Sequence, residues 1–501
     1  MTEDPRISMN ANRIVQHLCK LPEEFTKKDI IRFIEEKGVR RVNFRYIGGD
    51  GRLKTLNFVV TNKAYLDRLL SAGERVDGSS LFPYIAATVS DLYVIPRFRT
   101  AFVNPFASSP TVDILCSYYT SEGRPFPSSP ENTLRKAHEA LKRATGISLR
   151  AMGELEFYAI SDKPSTLYPM RPQKGYKESQ PFSKMEELRC EAMQALAEVG
   201  AQVKYGHNEV ASMSEDGRYI EQNEIEFLPV PIEETADQIV LARWALRMVG
   251  QRHGVTVSFA PKVAVGHAGN GMHVHMQFLK GGTNVTFKDG KISDVAKMAI
   301  AGMLTLAPSL TAFGNTVPSS YVRFAPHQEV PMGIFWGDRN RLAMVRVPLG
   351  WTTGRDMVKH ANPKERGKGV DASDSATVEF RCPDGSADAY LTLAGLAVAV
   401  RHGLQMKDGL RIAQRLYAAK GAVLTLDEWK PGKAPKIPTS CNESAEDLLN
   451  DREIYQRDTV FTPEVIEGVA KKLQSYFDKD LVVKSKPDEL KRMMEEFIHC
   501  A

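Results

Sequence analysis

The chain has 501 residues, 43% of them hydrophobic and 25% charged, the profile of an ordinary globular protein with room for two to four domains. Sixty-six basic residues against 61 acidic give a formal charge of +5, slight for this length. There is no Lys/Arg run of the kind that tracks a phosphate backbone, so nucleic acid is not an expected partner. The longest apolar run, Tyr390 to Val400, is too short to span a bilayer, and no apolar stretch follows the acidic start Met1-Thr2-Glu3-Asp4, so neither a membrane nor a secretory leader is expected. Cys19, Cys116, Cys190, Cys382, Cys441 and Cys500 lie far apart without a Cys-x-x-Cys, which argues against a disulfide scaffold and a zinc site and points to a reduced, cytoplasmic setting.

In chain order, Ile14, Val15 and Leu18 give residues 10–20 a helical spacing that Pro22 ends, and a second helix is expected from Lys27 to Lys37. Arg41 to Tyr46 alternates, Gly48-Gly49-Asp50-Gly51 turns, and Leu53 to Val60 alternates back, the pattern of a hairpin. Asp77-Gly78-Ser79-Ser80 reads as a loop. Proline and serine rise between Pro105 and Pro130, where the main domain boundary is expected. A helix from Glu131 to Arg143, stopped by Gly146, then opens the larger domain. A strand from Arg150 to Ile160 follows, then a long loop from Lys163 to Ser183, a length that in compact domains marks function or disorder. Helices Lys184 to Glu198 and Glu233 to His253 flank a strand region from Gln202 to Leu228. Beyond a glycine-rich stretch come a helix from Ile292 to Leu306, a loop from Phe313 to Pro331 and a strand from Arg341 to Val347. Lys359 to Ala376 is rich in Lys, Gly, Asp and Ser and reads as mobile, Glu379-Phe380-Arg381 as a strand, and the chain from Tyr390 onward as predominantly helical.

The chemistry concentrates around Gly266-His267-Ala268-Gly269-Asn270-Gly271-Met272-His273-Val274-His275. Its glycines admit a ligand close to the backbone, and the His-Val-His alternation puts both imidazoles on one face of a strand. Neither a P-loop nor a Gly-x-Gly-x-x-Gly occurs, so any phosphate must be handled by arginines. Arg323, Arg339, Arg341, Arg346 and Arg381 are candidates, because guanidinium forks match phosphate and carboxylate oxygens. Arg341 and Arg346 have opposite parity, so a shared role requires a bend or bulge. Glu154 and Glu156 share one strand face, as do Glu224 and Glu226, and Glu209 lies nearby in sequence. Clustered carboxylates repel unless a cation lies between them, and oxygen ligands with one histidine suit Mg2+ or Mn2+ better than zinc or copper.

Seven motifs carry a resemblance: Asp77-Gly78-Ser79-Ser80, Glu154-Leu155-Glu156, His207-Asn208-Glu209-Val210-Ala211, Gln222-Asn223-Glu224, Gly269 to His275, Arg339-Asn340-Arg341 and Glu379-Phe380-Arg381. They stand in the order of the glutamine synthetase family, which the chain resembles over roughly residues 40 to 450. The resemblance implies an α+β fold: a helical extension over 1–37, a β-grasp domain over 38–128 and a catalytic domain over 129–501, whose curved antiparallel sheet with flanking helices forms a funnel. It implies ATP-dependent ligation of ammonia to L-glutamate through a γ-glutamyl phosphate, in a homo-oligomeric ring, a dodecamer of two stacked hexamers with each site completed by a neighbour's N-terminal domain. Two readings stand beside this one: a γ-glutamyl ligase of the same fold using a polyamine or alkylamine, and a non-catalytic structural or regulatory relative. The second should have lost metal ligands, and all six implied here are intact.

Residue by residue, the resemblance makes Glu156, Glu209 and Glu224 ligands of one Mg2+ or Mn2+ ion, and Glu154, His273 and Glu379 ligands of a second. Arg323, Arg381 and the backbone at Gly269 resemble the groups that hold glutamate, and Arg341 and Arg346 those on the ATP phosphates, with Arg341 also catalytic. His275 is expected near the nucleotide. Asp77, Glu329 and Tyr176 resemble the ammonium pocket, Asp77 and Glu329 as its acids. The chain departs from the family pattern at Ala268, usually Asn; at Asn208, usually His; in an insertion from Ser214 to Tyr219 that lengthens a hairpin; and at Asp374 and Thr377, often Lys and Arg near the nucleotide. No tyrosine stands in Ala422-Val423-Leu424-Thr425-Leu426, so control by tyrosine adenylylation is not expected.

Overall fold

A computed structural model describes residues 4–85, 90–162, 167–215, 217–324, 330–348, 357–366, 375–418, 436–479 and 486–501. Glu329, Asp374 and the Ala422–Leu426 segment lie outside the described residues, as do residues 367–374 of the Lys359–Ala376 stretch.

The first helix, Arg13–Leu18, begins where the Asn12 side chain accepts from the Ile14 amide, and the second, Lys27–Glu36, opens on a reciprocal capping box between Thr26 and Asp29. Strands β1 (Arg41–Ile47) and β2 (Leu53–Val59) form the expected hairpin, in register from Arg41 opposite Val59 to Ile47 opposite Leu53. They belong to a larger sheet with β3 (Glu74–Asp77), β4 (Asp91–Pro96), β5 (Phe102–Val103) and β6 (Thr111–Tyr119), in the order β2-β1-β6-β4-β3 with β5 also on β6. β1 and β6 are parallel. The strand β6 lies inside the proline- and serine-rich stretch expected as a boundary. Its first six residues are all buried, so it shows no alternation to read. A helix over Lys63–Ala72 and the two N-terminal helices cover this sheet, with Ile14, Ile30, Leu66, Phe44 and Val112 in one core.

The second sheet positions the site. Its strands are β7 (Ile147–Asp162), β8 (Val203–Glu215), β9 (Arg218–Phe227), β10 (Val230–Pro231), β11 (Thr256–Ser258), β12 (Met272–Lys280) and β13 (Thr283–Asn284). Past a separate hairpin of β14 (Phe287–Lys288) and β15 (Lys291–Ile292) come β16 (Gly333–Asp338), β17 (Ala343–Val347) and β18 (Val378–Phe380). The order is β16-β17-β18-β12-β7-β9-β8, antiparallel except for the parallel pair β16 and β17. Along β7, Leu155 and Phe157 point into the core with no exposure, while Glu154 and Glu156 alternate onto the opposite face. Helices Ile232–His253, Asp294–Thr305 and Ala389–Gln405 fill the core side. Gly146 and Gly254 end their helices in the left-handed conformation, as the sequence indicates. The stretch Phe313–Pro331, expected as a loop, instead finishes a helix at Gly314 and contains another over Ser319–Arg323. The Ser214–Tyr219 insertion does extend the β8–β9 hairpin, with Ser214 opposite Tyr219.

The two sheets are tied by Arg97, just past β4, whose Nη atoms donate to both oxygens of Asp237 at 2.8 Å while the Tyr390 hydroxyl donates to the same carboxylate at 2.5 Å. Asp237→Ala leaves this guanidinium unpaired. Because Arg97 keeps 24% of its side chain in solvent, the expected cost is about 2–3 kcal/mol, below the ~3–5 kcal/mol of a fully buried pair. Urea unfolding followed by tryptophan fluorescence checks it.

Candidate active site

Strand register assembles the acids. Glu154 stands opposite Glu226 and Glu156 opposite Glu224, so β7 and β9 present four carboxylates on one face. On the other side of β7, His273 of β12 is paired with Glu154, and His275 is paired with Glu379 of β18, which in turn faces Arg346 of β17. Glu209 arrives differently. Asn208 pairs with Asn223 but Ser212 with Glu221, so β8 carries two extra residues there, and this bulge turns Glu209 toward the acids.

The acids divide into two electrostatic groups. Glu154 accepts from His273 Nδ1 and His275 Nε2, each at 2.8 Å; burial pushes its carboxyl up, but the two imidazoles outweigh burial and hold it well below the ordinary range. Glu379 is fully buried and accepts from Arg381 at 2.5 Å and Arg346 at 2.6 Å; burial again acts upward, and Arg381, His275 and Arg346 outweigh it. In the second group the His207 imidazole beside Glu209 does not outweigh burial and the neighbouring carboxylates. Burial together with Glu156 and Glu224 pushes Glu209 up to about 9, and burial with Glu154, Glu156 and Glu226 raises Glu224 well above its usual value. Buried oxygens that repel one another and have no guanidinium between them fit a divalent cation. The ligand atoms of Glu154, His275 and Glu379 lie within 4.8 Å of one another, as do those of His207, Glu209 and Glu224, and those of Glu154, Glu224 and Glu226.

A pH dependence follows. Glu209 and Glu224 bind protons more tightly folded than unfolded, so their contribution to stability is present below the unfolded carboxyl range and lost as pH rises toward 9. His275, raised because Glu154 and Glu379 outweigh its burial, acts in the same sense above neutral pH. The melting temperature of the chelator-treated protein should therefore fall from about pH 5.5 to about pH 8.5, and millimolar Mg2+ should flatten that slope. Calorimetry at both conditions checks the sign.

A cavity of about 500 Å³ opens on this cluster. Glu154, Glu156, Glu209, Glu224 and His273 line it, and so do Gly269, Tyr176, Arg323, Arg341, Arg346 and Arg381. Arg341 lies in the turn before β17, outside the strand, so the parity objection does not arise and both it and Arg346 reach the cavity. Arg323, 1% exposed at the end of its short helix, donates to the Cys382 carbonyl at 3.0 Å and places Nη2 3.3 Å from His273 Nε2. Gly271 leaves room for the site's side chains: a Cβ there would lie 2.6 Å from His273 Nε2 and 2.9 Å from Arg323 Nη2 and would displace them. Three residues are placed elsewhere; Glu379 is fully buried and does not line the cavity, although Arg346 and Arg381, which donate to it, do. His275 sits behind the wall between Glu154 and Thr377, whose hydroxyl is 3.0 Å from Nδ1. Asp77, at the end of β3, is exposed and does not line the cavity; the hydroxyls of Ser80, Ser79 and Ser90 hold its carboxyl well below the usual range.

Three participants carry no assigned role in the sequence reading. His207 lies 3.4 Å from Glu224 and 3.8 Å from Glu209 and packs its ring on Tyr176 and Tyr205. Its place two residues before Glu209 was the available signal. Glu226 shares a face with Glu224 and is paired with Lys204 at 2.7 Å. Gln222 donates to Glu156 at 3.0 Å and to the Gly269 carbonyl at 3.1 Å, joining the acids to the glycine loop, a contact between distant segments that no spacing in the sequence reveals.

Fold and cavity together define a two-domain catalytic architecture that gathers carboxylates, imidazoles and guanidinium groups around charged ligands. Residues 127–475 match the family model described as glutamine synthetase, catalytic domain, and residues 38–121 that described as glutamine synthetase, beta-Grasp domain. The chain belongs to the glutamine synthetase family. It is 30% identical over 443 residues to the glutamine synthetase of Clostridium saccharobutylicum, covering 87% of this chain and 91% of that one. It is also 28% identical over 476 residues to a 3-hydroxylaminophenol mutase of Cupriavidus pinatubonensis, covering 88% and 93%, so relatives at this distance carry more than one activity. The cryo-electron microscopy structure of Plasmodium falciparum glutamine synthetase shares the fold, with a TM-score of 0.73 at 19% identity over 93% of this chain and 98% of that one.

Proposed function

We propose that this chain is an ATP-dependent ligase that joins ammonia to L-glutamate. The carrying observation is the division of one cavity between clustered carboxylates, Glu156, Glu209 and Glu224, and guanidinium groups, Arg323, Arg341, Arg346 and Arg381. A carboxylate is a poor acyl donor, and a phosphoryl group supplies the missing leaving group. A γ-carboxylate oxygen of glutamate attacks the γ-phosphorus of ATP, and ADP departs. Ammonia then attacks the acyl carbon, phosphate leaves, and the surplus ammonium proton passes to an acid of the acceptor pocket. Arg341 and Arg346 hold the phosphate oxygens, and Arg323, Arg381 and the Gly269 backbone hold the amino-acid end. Glu156, Glu209 and Glu224 would hold one Mg2+ or Mn2+ and Glu154, His273 and Glu379 another; in this structure Glu209 and Glu224 gather with His207, and Glu154 and Glu379 with His275. Bound there, the ions neutralise phosphate charge. Tyr176, with Asp77 and Glu329, frames the acceptor, the first acid coming from a neighbouring subunit of a dodecameric ring in the cytoplasm.

The test is phosphate release from ATP with glutamate and a panel of amines. Glutamate-dependent release with ammonia as the favoured acceptor, lost on chelation and restored by Mg2+, supports the reading. A preference for a diamine or polyamine would move the chain to the γ-glutamyl-amine ligases, and no glutamate-dependent release would defeat both.

A further inference from the structure

Two segments distant in sequence lie together over the cavity. The first, residues 167–185, runs along β8: the Gly175 amide donates to the Val210 carbonyl at 3.2 Å and the Lys177 amide to the Asn208 carbonyl at 2.9 Å, flanking Glu209. Gly175 permits this approach, since a Cβ there would stand 2.6 Å from the Glu209 carbonyl oxygen. The far end is fixed through Glu221, fully buried, which accepts from Ser183 Oγ at 2.9 Å, the Lys184 amide at 2.9 Å and Asn208 Nδ2 at 2.7 Å. Asn208 thus joins the segment to β9. The second segment is the glycine loop, whose Ala268 carbonyl accepts from the Tyr158 hydroxyl at 2.6 Å and whose Gly269 carbonyl accepts from Gln222 at 3.1 Å.

Gln173 spans the two. Its Oε1 accepts from the Ala268 amide at 2.9 Å, and its Nε2 lies 2.8 Å from His267 Nδ1, to which it donates. A primary amide can accept from a backbone N–H and donate to a ring nitrogen at once; a carboxylate or an ammonium manages one of the two. Position 268 is alanine and supplies no polar side chain of its own; Tyr158, Gln222 and Lys262 hold carbonyls of this loop, and Gln173 holds the Ala268 amide from the opposite segment. We infer that Gln173 is a positioning residue, a latch that fixes the 267–269 backbone against the cavity and thereby sets affinity for the amino-acid substrate. The substrate half rests on the function proposed above; the latch itself does not.

Two measurements separate them. Hydrogen–deuterium exchange of the substrate-free protein reads the latch directly, because the Ala268 amide is the one Gln173 protects. In Gln173→Leu, peptides covering 265–270 should exchange about tenfold faster with the melting temperature nearly unchanged, and Gln173→Glu, which keeps the acceptor and loses the donor, should fall between. In turnover, Gln173→Leu should raise the KM for glutamate about tenfold and leave kcat within about threefold, the mark of lost uniform binding. Unchanged exchange in the leucine variant overturns the latch, and a fall in kcat at constant KM overturns its link to substrate. If Gln173→Leu does not fold, intermediate exchange in Gln173→Glu supports the latch and wild-type exchange overturns it. Absence of glutamate turnover in the wild type defeats the proposed function while the exchange result still decides the latch.

Discussion

Glu379→Gln and Glu224→Gln are expected to shift the stability of the metal-free protein in opposite directions, while each lowers kcat/KM by on the order of 10²–10³-fold. Glu379 is fully buried and neutralises Arg381 at 2.5 Å and Arg346 at 2.6 Å. Removing its charge takes a buried carboxylate from two guanidinium groups, one of them 5% exposed, at a cost of about 3–5 kcal/mol. Glu224 is in the reverse position, raised by burial and by Glu154, Glu156, Glu226 and Glu379. Its neutral amide removes repulsion from the empty cluster, so the metal-free variant melts at or above the wild type. Adding Mg2+ should raise the melting temperature of the wild type more than that of Glu224→Gln. Calorimetry with chelator and with Mg2+, beside turnover, reads all of this; a shift of the same sign for both variants, or full activity in either, would sink the assignment of two distinct carboxylate groups.

Much of this architecture was legible in the sequence, for identifiable reasons. Alternation of residue type marked β1, β2 and Glu154–Phe157 of β7 as strands, and glycines marked the helix stops at Gly146 and Gly254; these are local signals, and the elements form there. The carboxylate pairs were legible because residues two apart on a strand share a face whatever the partner strand. What local pattern could not show was the partner. β6 is buried on both faces and carries prolines and serines around it, so neither alternation nor composition marked it as central. The bulge that turns Glu209 inward exists only in the register of β8 against β9. Gln173 and Gln222 act across long sequence separations, where no spacing rule applies. Arg341 was misjudged by parity because the strand begins at Ala343, two residues later than expected.

The last expectation concerns Asp77, which the proposed function places in the acceptor pocket although in this chain it does not line the cavity. Its carboxylate is held ionised by hydroxyls, Ser80 Oγ at 2.6 Å and Ser79 Oγ at 2.7 Å, on a loop of the N-terminal sheet that faces solvent. An anion fixed in this way and presented outward suits capture of a cation in a neighbour's cavity. Ammonium must be bound as a cation and deprotonated before it can attack, whereas hydroxylamine is already a neutral nucleophile at neutral pH. Asp77→Ala should therefore lower kcat/KM for ammonia about 100-fold and for hydroxylamine less than about fivefold. Mixing settles whose acid it is. Glu224→Gln chains retain Asp77, and Asp77→Ala chains retain the cavity. If the acid comes from a neighbour, hybrids refolded or co-expressed from the two inactive chains recover ammonia-dependent turnover at roughly a quarter of the sites, the fraction in which random mixing seats an intact cavity beside an intact Asp77. No recovery in hybrids confirmed by native mass spectrometry would place Asp77 in its own chain's site or in none, and equal losses for the two acceptors would remove it from ammonium capture altogether.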